Sequence, residues 1–262
     1  MVGVPPPSGS FSRIQGNTLQ FLSIVLLLFV SAGGVLRADM EREPDGHEYL
    51  ERYLAASQGQ AEKLRGLSME MEIDASVPDL QKSGRLRALR QISRLGVITY
   101  RRIIFQGDKL IQNDVIARFL QAEKEALEKK TNIGITPDNY RFKYYGVYGG
   151  GDWRLHLFEL TPKKKRSGLF SGWIWIEDKT ALPVREQGEF VRSPSIFLKK
   201  VAFVRDYEIR DGIAVPTLIH SNVETRIVGS AEVNVRYTNM RRSSPLAADG
   251  PRPQAQPEPV AQ

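Results

Sequence analysis

From Tyr49 to Leu64 apolar side chains recur every three or four positions, at Tyr49, Leu50, Tyr53, Leu54, Ala61 and Leu64, with Glu48, Glu51 and Arg52 between them. That spacing predicts a helix with one buried stripe. Asp45 followed by Glu48 has the form of an N-terminal capping pair, and Gly59 is placed to break or kink the helix. At Leu67 the period falls to two. Leu67, Met69, Met71, Ile73 and Ala75 alternate with Ser68, Glu70, Glu72 and Asp74, the pattern of a strand with one buried and one wet face. Nine further strand-like segments follow, near 84–93, 96–106, 139–148, 153–161, 172–178, 183–191, 196–209, 213–225 and 229–239. Turn formers separate them, among them Gly107-Asp108, Gly149 to Asp152, Asp178-Lys179 and Asp211-Gly212. Asp-Gly between two apolar runs is a strong short hairpin signal, because a type I′ turn requires positive φ at both central residues. One helix interrupts the series at 115–129, with Ile116, Phe119, Leu120 and Leu127 on one side. Many short strands joined by tight turns predict a mainly β fold with a few helices, built on a curved antiparallel sheet.

The one long apolar run lies ahead of all this. Phe21 to Val30 is preceded by Arg13 and followed by small residues up to Ala38. A basic start, a greasy centre and a small-residue exit predict a secretory signal over 1–38, with an uncleaved inner-membrane anchor as the alternative. Either way the following domain, 39–240, is expected outside the cytoplasm, in the periplasm. Residues 241–262 hold five prolines and almost no large apolar side chain, which predicts a disordered tail.

Composition narrows the function classes. The chain has 262 residues, 41% hydrophobic and 26% charged, an ordinary globular mixture. Its formal charge of +7 is dispersed, which points away from nucleic acid and remains compatible with an anionic membrane surface. There is no cysteine, hence no disulfide, thiolate metal site or lipidated N-terminal cysteine.

Catalytic constellations are missing from the pattern. His47, His156 and His220 are far apart and in no ligand spacing, so they predict structural or surface roles and no metal site. Ser171 sits in Gly168-Leu-Phe-Ser-Gly172, which is not a nucleophile elbow. The glycines at 149–151 lack the lysine and the strand-to-helix context of a phosphate loop. Glu70, Glu72 and Asp74 are explained by strand alternation. No enzyme activity and no cofactor are expected.

Two features stand out. Aromatic side chains gather on particular strands: Tyr140, Phe142, Tyr144 and Tyr148 share one face, Trp173 and Trp175 share another, and Phe197 and Phe203 mark a third strand. All but Tyr148, seven residues, are the candidate wall of an apolar cavity. Strands apolar on both faces, such as 172–176, must be covered on both sides, by a helix on one and a ligand or second helix on the other. The second feature is the basic loop Lys163, Lys164, Lys165 and Arg166, a solvated hairpin tip or a membrane-surface contact.

Four stretches together resemble a known family. Glu48 to Gly59, running through Leu64 into the strand at Leu67, is similar to the first helix and strand of periplasmic outer-membrane lipoprotein-sorting (LolA-like) proteins. Leu157-Phe-Glu-Leu-Thr-Pro-Lys163 resembles their L-x-L-x-P-K strand end, and 175–185 their strand–turn–LP–strand hairpin. The run 203–216 resembles their D-Y-x-x-x-D-G-I-x-V-P hairpin. The resemblance implies an unclosed β-barrel around an apolar cavity with a helical lid, carrying acyl chains between membranes. The stretch 95–100 and the 115–129 helix have no counterpart in it, and no binding residue is carried over. The expectation is a non-enzymatic periplasmic carrier or binding protein for a lipid or acylated protein. The alternative is a sensor or scaffold of the same fold that binds a membrane-protein partner. Oligomeric state is not legible.

Overall fold

A computed structural model describes residues 46–128, 133–151, 153–193, 198–226 and 229–242. The expected signal segment 1–38, residue Asp45 and most of the expected tail lie outside them. Helix α1 (His47–Ser57) ends two residues before Gly59, whose φ of 73° opens the short α2 (Gln60–Lys63). The N-cap position is corrected: it falls on Gly46, with φ of 75°, and among the described residues no side chain caps the helix. A Cβ on Gly46 would stand 2.4 Å from Cγ of Tyr144, so the helix start is pressed against that ring and only glycine fits there.

Ten strands follow: β1 (Leu67–Val77), β2 (Lys82–Ile92), β3 (Ile98–Gly107), β4 (Tyr140–Gly150), β5 (Trp153–Pro162), β6 (Phe170–Glu177), β7 (Pro183–Phe190), β8 (Leu198–Arg210), β9 (Ile213–Thr225) and β10 (Ser230–Arg242). Each lies within about three residues of its predicted span. β10 runs two residues past the boundary predicted at 240. The 115–129 helix starts earlier than its pattern indicated: Ile111–Ile116 winds as a π-helix and runs straight into α3 (Ala117–Glu128). The strands form one antiparallel sheet in the order β3-β2-β1-β10-β9-β8-β7-β6-β5-β4. β3 and β4 are its free edges, so the barrel is unclosed.

Register shows how the sheet is covered. One row of paired residues crosses all ten strands: Tyr144, Phe158, Ile174, Glu186, Arg205, Ile219, Val235, Ile73, Leu86 and Phe105. Members of one row share a face. At one end of the row Phe158 and Ile174 pack with Tyr53 of α1. At the other Ile73, Leu86 and Val235 pack with Ile111, Val115 and Ile116 of the π-helix. Both helices therefore cover the same face, here called inward. Ile73 and Val235 have no exposed surface, and full burial of such a side chain stabilises by roughly 1.5–3 kcal/mol. Of the two covers expected for the opposite face, a ligand or a second helix, the second helix is not found there among the described residues. On that outward face the parallel row reads Leu157, Trp175, Arg185, Asp206, Leu218, Arg236, Glu72, Arg87 and Ile104. It alternates in charge along its middle.

Candidate ligand site on the inward face

The inward row is apolar or aromatic except at Glu186 and Arg205, which pair across β7 and β8 between the two helix-covered clusters. Arg205 Nη1 lies 3.1 Å from Glu186 Oε2 and donates to the Tyr207 hydroxyl at 3.2 Å, and the guanidinium stands 5.4 Å from the Phe203 ring centroid. Burial works against the charge on Arg205, but Tyr207 and Glu186 outweigh it and hold the group above its usual range. Burial, and then the charge of Glu186, push the Tyr207 phenol up. The Glu186 side chain is 8% exposed, whereas 34% of the Arg205 side chain still reaches solvent. Arg205 is thus an accessible cation on an otherwise apolar floor. Its register partner Ile219 of β9 is half-buried, as are Phe190 of β7, packed against the α1 cluster, and Val223 of β9 and Phe119 and Leu120 of α3, packed against the π-helix cluster.

A second polar group ties α3 to the sheet. Arg90 of β2 donates through Nη2 to Glu123 at 2.6 Å, Tyr100 of β3 donates to the other oxygen of Glu123, and the guanidinium lies 5.7 Å from the Tyr237 ring. Burial raises the Tyr237 phenol, and Arg90 and Arg205 both act on it in the opposite direction.

A third group ties α1 to the sheet. His156 Nε2 is 3.1 Å from Asp178 Oδ1 in the β6–β7 turn, and its Nδ1 is 3.0 Å from the Tyr144 hydroxyl. A carboxylate can only accept, so Nε2 carries a proton and donates to Asp178, while Nδ1 shares a hydrogen bond with the Tyr144 hydroxyl. Arg154 and Arg52 of α1 also bind Asp178. The hydrogen bond from His156, aided by Arg154 and opposed by burial, lowers the Asp178 carboxyl to about 2. Tyr49 of α1 stacks on the imidazole with ring centroids 3.5 Å apart. This tyrosine–histidine–aspartate line is covered by the first turns of α1, which suits it to holding the helix rather than meeting a substrate.

The structure divides the seven candidate wall residues. Tyr140, Phe142, Tyr144 and Phe203 share the inward face and pack in or against the α1 cluster, with Tyr140 only 1% exposed. Trp173 and Trp175 face outward, because Ile174 between them is inward, so they cannot line the same space, and Tyr148, expected on the face of Tyr144, turns outward past the register break between Tyr144 and Gly146. Phe197 lies outside the described residues. Lys163 to Arg166 form an exposed loop between β5 and β6. Lys164 and Arg166 border a cavity of about 220 Å³ with Asp138, Asn139 and Leu169, and Arg166 donates to Asn139. Another cavity, of about 340 Å³, lies among Asp74, Ser76, Arg85 and Gln106 at the outward side of β1–β3. Arg205 and Glu186 were not singled out from the sequence. The signal was present, since Phe203, Arg205 and Tyr207 alternate on one strand and place an arginine on an aromatic face. His156 is buried and structural, and its partners, Tyr144 of β4, Asp178 of the β6–β7 turn and Tyr49 of α1, are far from it in sequence, so its spacing could not name them.

No family model matches the sequence, and no curated protein matches it. Solved structures do resemble it. A DUF1329 family protein from Desulfovibrio piger is 14% identical, covering 78% of this chain and 95% of that one, with a TM-score of 0.43. A putative outer membrane lipoprotein-sorting protein domain from Vibrio parahaemolyticus is 13% identical over 76% and 92%, with a TM-score of 0.36. A LolA superfamily protein from Nitrosomonas europaea is 13% identical over 76% and 94%, with a TM-score of 0.32. The fold itself rests on the strand order and register above.

Proposed function

We propose that this chain is a non-enzymatic periplasmic binding protein that takes an amphiphile, a lipid or an acylated protein, on the inward face between α1 and α3. The observation that carries the reading is the Arg205 side chain, partly open to solvent, held by Glu186 and standing on the inward face beside Phe203 and Ile219, between the two helix-covered apolar clusters. Such a surface suits an acyl chain with an acidic or strongly hydrogen-bonding head. Delipidated protein should bind a fluorescent fatty acid at micromolar concentration, and more tightly than the matching fatty alcohol. Replacing the ion pair together, Arg205→Met with Glu186→Gln, avoids leaving an orphan buried charge. That variant should bind both probes alike. Wild-type protein that binds neither probe would remove the reading. A second reading, a scaffold for a protein partner, is favoured by the filled clusters under both helices and by exposed Tyr145, Tyr148 and Trp153 near the β4 edge.

A further inference from the structure

We propose that the opposite edge of the sheet, at the β2–β3 hairpin, docks on an anionic lipid surface. Leu95 at the hairpin tip is 87% exposed, and Val97, Ile103 and Ile104 are each more than half exposed. Arginines surround them: Arg94 beside the tip, Arg101 and Arg102 on β3, and Arg65, whose Nε is 3.6 Å from where a Gly96 Cβ would stand. Among the described residues none of these four arginines forms an ion pair. Their neighbours on the outward face are neutralised, Arg85 by Asp74 and Arg87 by Glu72. The acids nearest in register are also engaged. Glu70, which faces Arg101 across Leu89, accepts from Asn239, and Glu123 is held by Arg90 and Tyr100. Unpaired cations therefore collect where aliphatic side chains are exposed.

The arrangement fits a bilayer better than an added strand or an acidic protein. Arg102 has a φ of 52° at a register break in the β2–β3 pairing, and such a bulge interrupts the free edge that a partner strand needs. The aliphatic side chains stand at a tip and along an edge, and none of them lines either cavity described above. Long arginine stems allow the guanidinium groups to stay at lipid headgroups while Leu95 and Val97 enter the acyl boundary. This site lies at the opposite strand ends from the Lys163–Arg166 loop, and it stands whether or not the inward face takes a ligand.

The chain has no cysteine, so Leu95→Cys in the full-length protein gives a single site for an environment-sensitive dye. On phosphatidylglycerol vesicles its emission should shift to the blue. On phosphatidylcholine vesicles it should not, and a dye at Lys163→Cys should not shift on either. Because the dye reports its own position, membrane binding by any other segment does not mimic the signal. Adding Arg101→Glu and Arg102→Glu should weaken the response by about twentyfold or more, at about fivefold per lost arginine. An unshifted dye on phosphatidylglycerol overturns the proposal, as does an equal shift on phosphatidylcholine. A shift with poly-L-glutamate but not with vesicles would also overturn it, assigning the edge to an acidic protein.

Discussion

At Asp178 one carboxylate serves a histidine, two arginines and, through them, the seating of a helix. His156 has a side chain only 2% exposed and would be an unsatisfied polar group in an apolar cluster without Asp178 and Tyr144. The arrangement also explains why α1 starts at a glycine: the ring of Tyr144, fixed by its hydrogen bond to His156, occupies the space where a side chain at Gly46 would begin. The pH dependence follows from the direction of the shift. Asp178 titrates lower in the folded chain than the ordinary value near 3.9, so its contribution is present above that value and is lost as pH falls toward about 2. Asp178→Asn should lower the unfolding free energy at neutral pH by roughly 1.5–3 kcal/mol, read from a melt, for a lost charge-assisted contact. Repeating the comparison in acid should show the two proteins converging between about pH 4 and pH 2. A gap that stays constant through that range would place the effect elsewhere than in the carboxylate charge.

At the scale of elements, the β8–β9 hairpin is the clearest translation of sequence into backbone. Asp211 and Gly212 have φ of 51° and 70°, the pair of positive values a type I′ turn demands, and Arg210 pairs with Ile213 across it. The Gly212 carbonyl also accepts from Gln60 and Lys63, joining the turn to α2. No atom would crowd a Cβ at Gly212, so Gly212→Val tests backbone strain alone. It should cost about 1–2 kcal/mol in a thermal or urea melt, and an unchanged midpoint would deny the strain. The strands were legible because period-two runs and turn residues are local signals. The sidedness of the aromatic strands was not. Tyr144 and Trp175 each announce a face within their own strand, but whether those faces coincide depends on register through β5, which a one-residue slip reverses. The π-helix was equally hidden, since Ile111, Val115 and Ile116 have ordinary helical spacing and only packing against β1 and β2 extends the element backward.

For the whole molecule, the question is whether the inward face is a core or a binding surface, and two aromatic residues on opposite faces can separate the answers. Trp175 is outward and 3% exposed, so Trp175→Ser empties a packed site and should cost about 3–5 kcal/mol. Because it lies away from both helices, the folded fraction should keep its affinity for an acyl probe. Tyr144 is inward and half-buried at the edge of the α1 cluster, with its ring 6.0 Å from Tyr49 and 5.0 Å from Phe158. Tyr144→Ser removes that wall and releases His156 while leaving neighbours free to close in, so its stability cost should be clearly smaller. Its probe affinity should fall severalfold. Titrating the same fluorescent fatty acid into both variants, beside a melt of each, measures the two quantities together. If Tyr144→Ser unfolds as readily as Trp175→Ser and the folded fraction of each binds the probe like wild type, the α1 side of the inward face is a filled core. The ligand contact would then have to lie nearer Arg205 and α3.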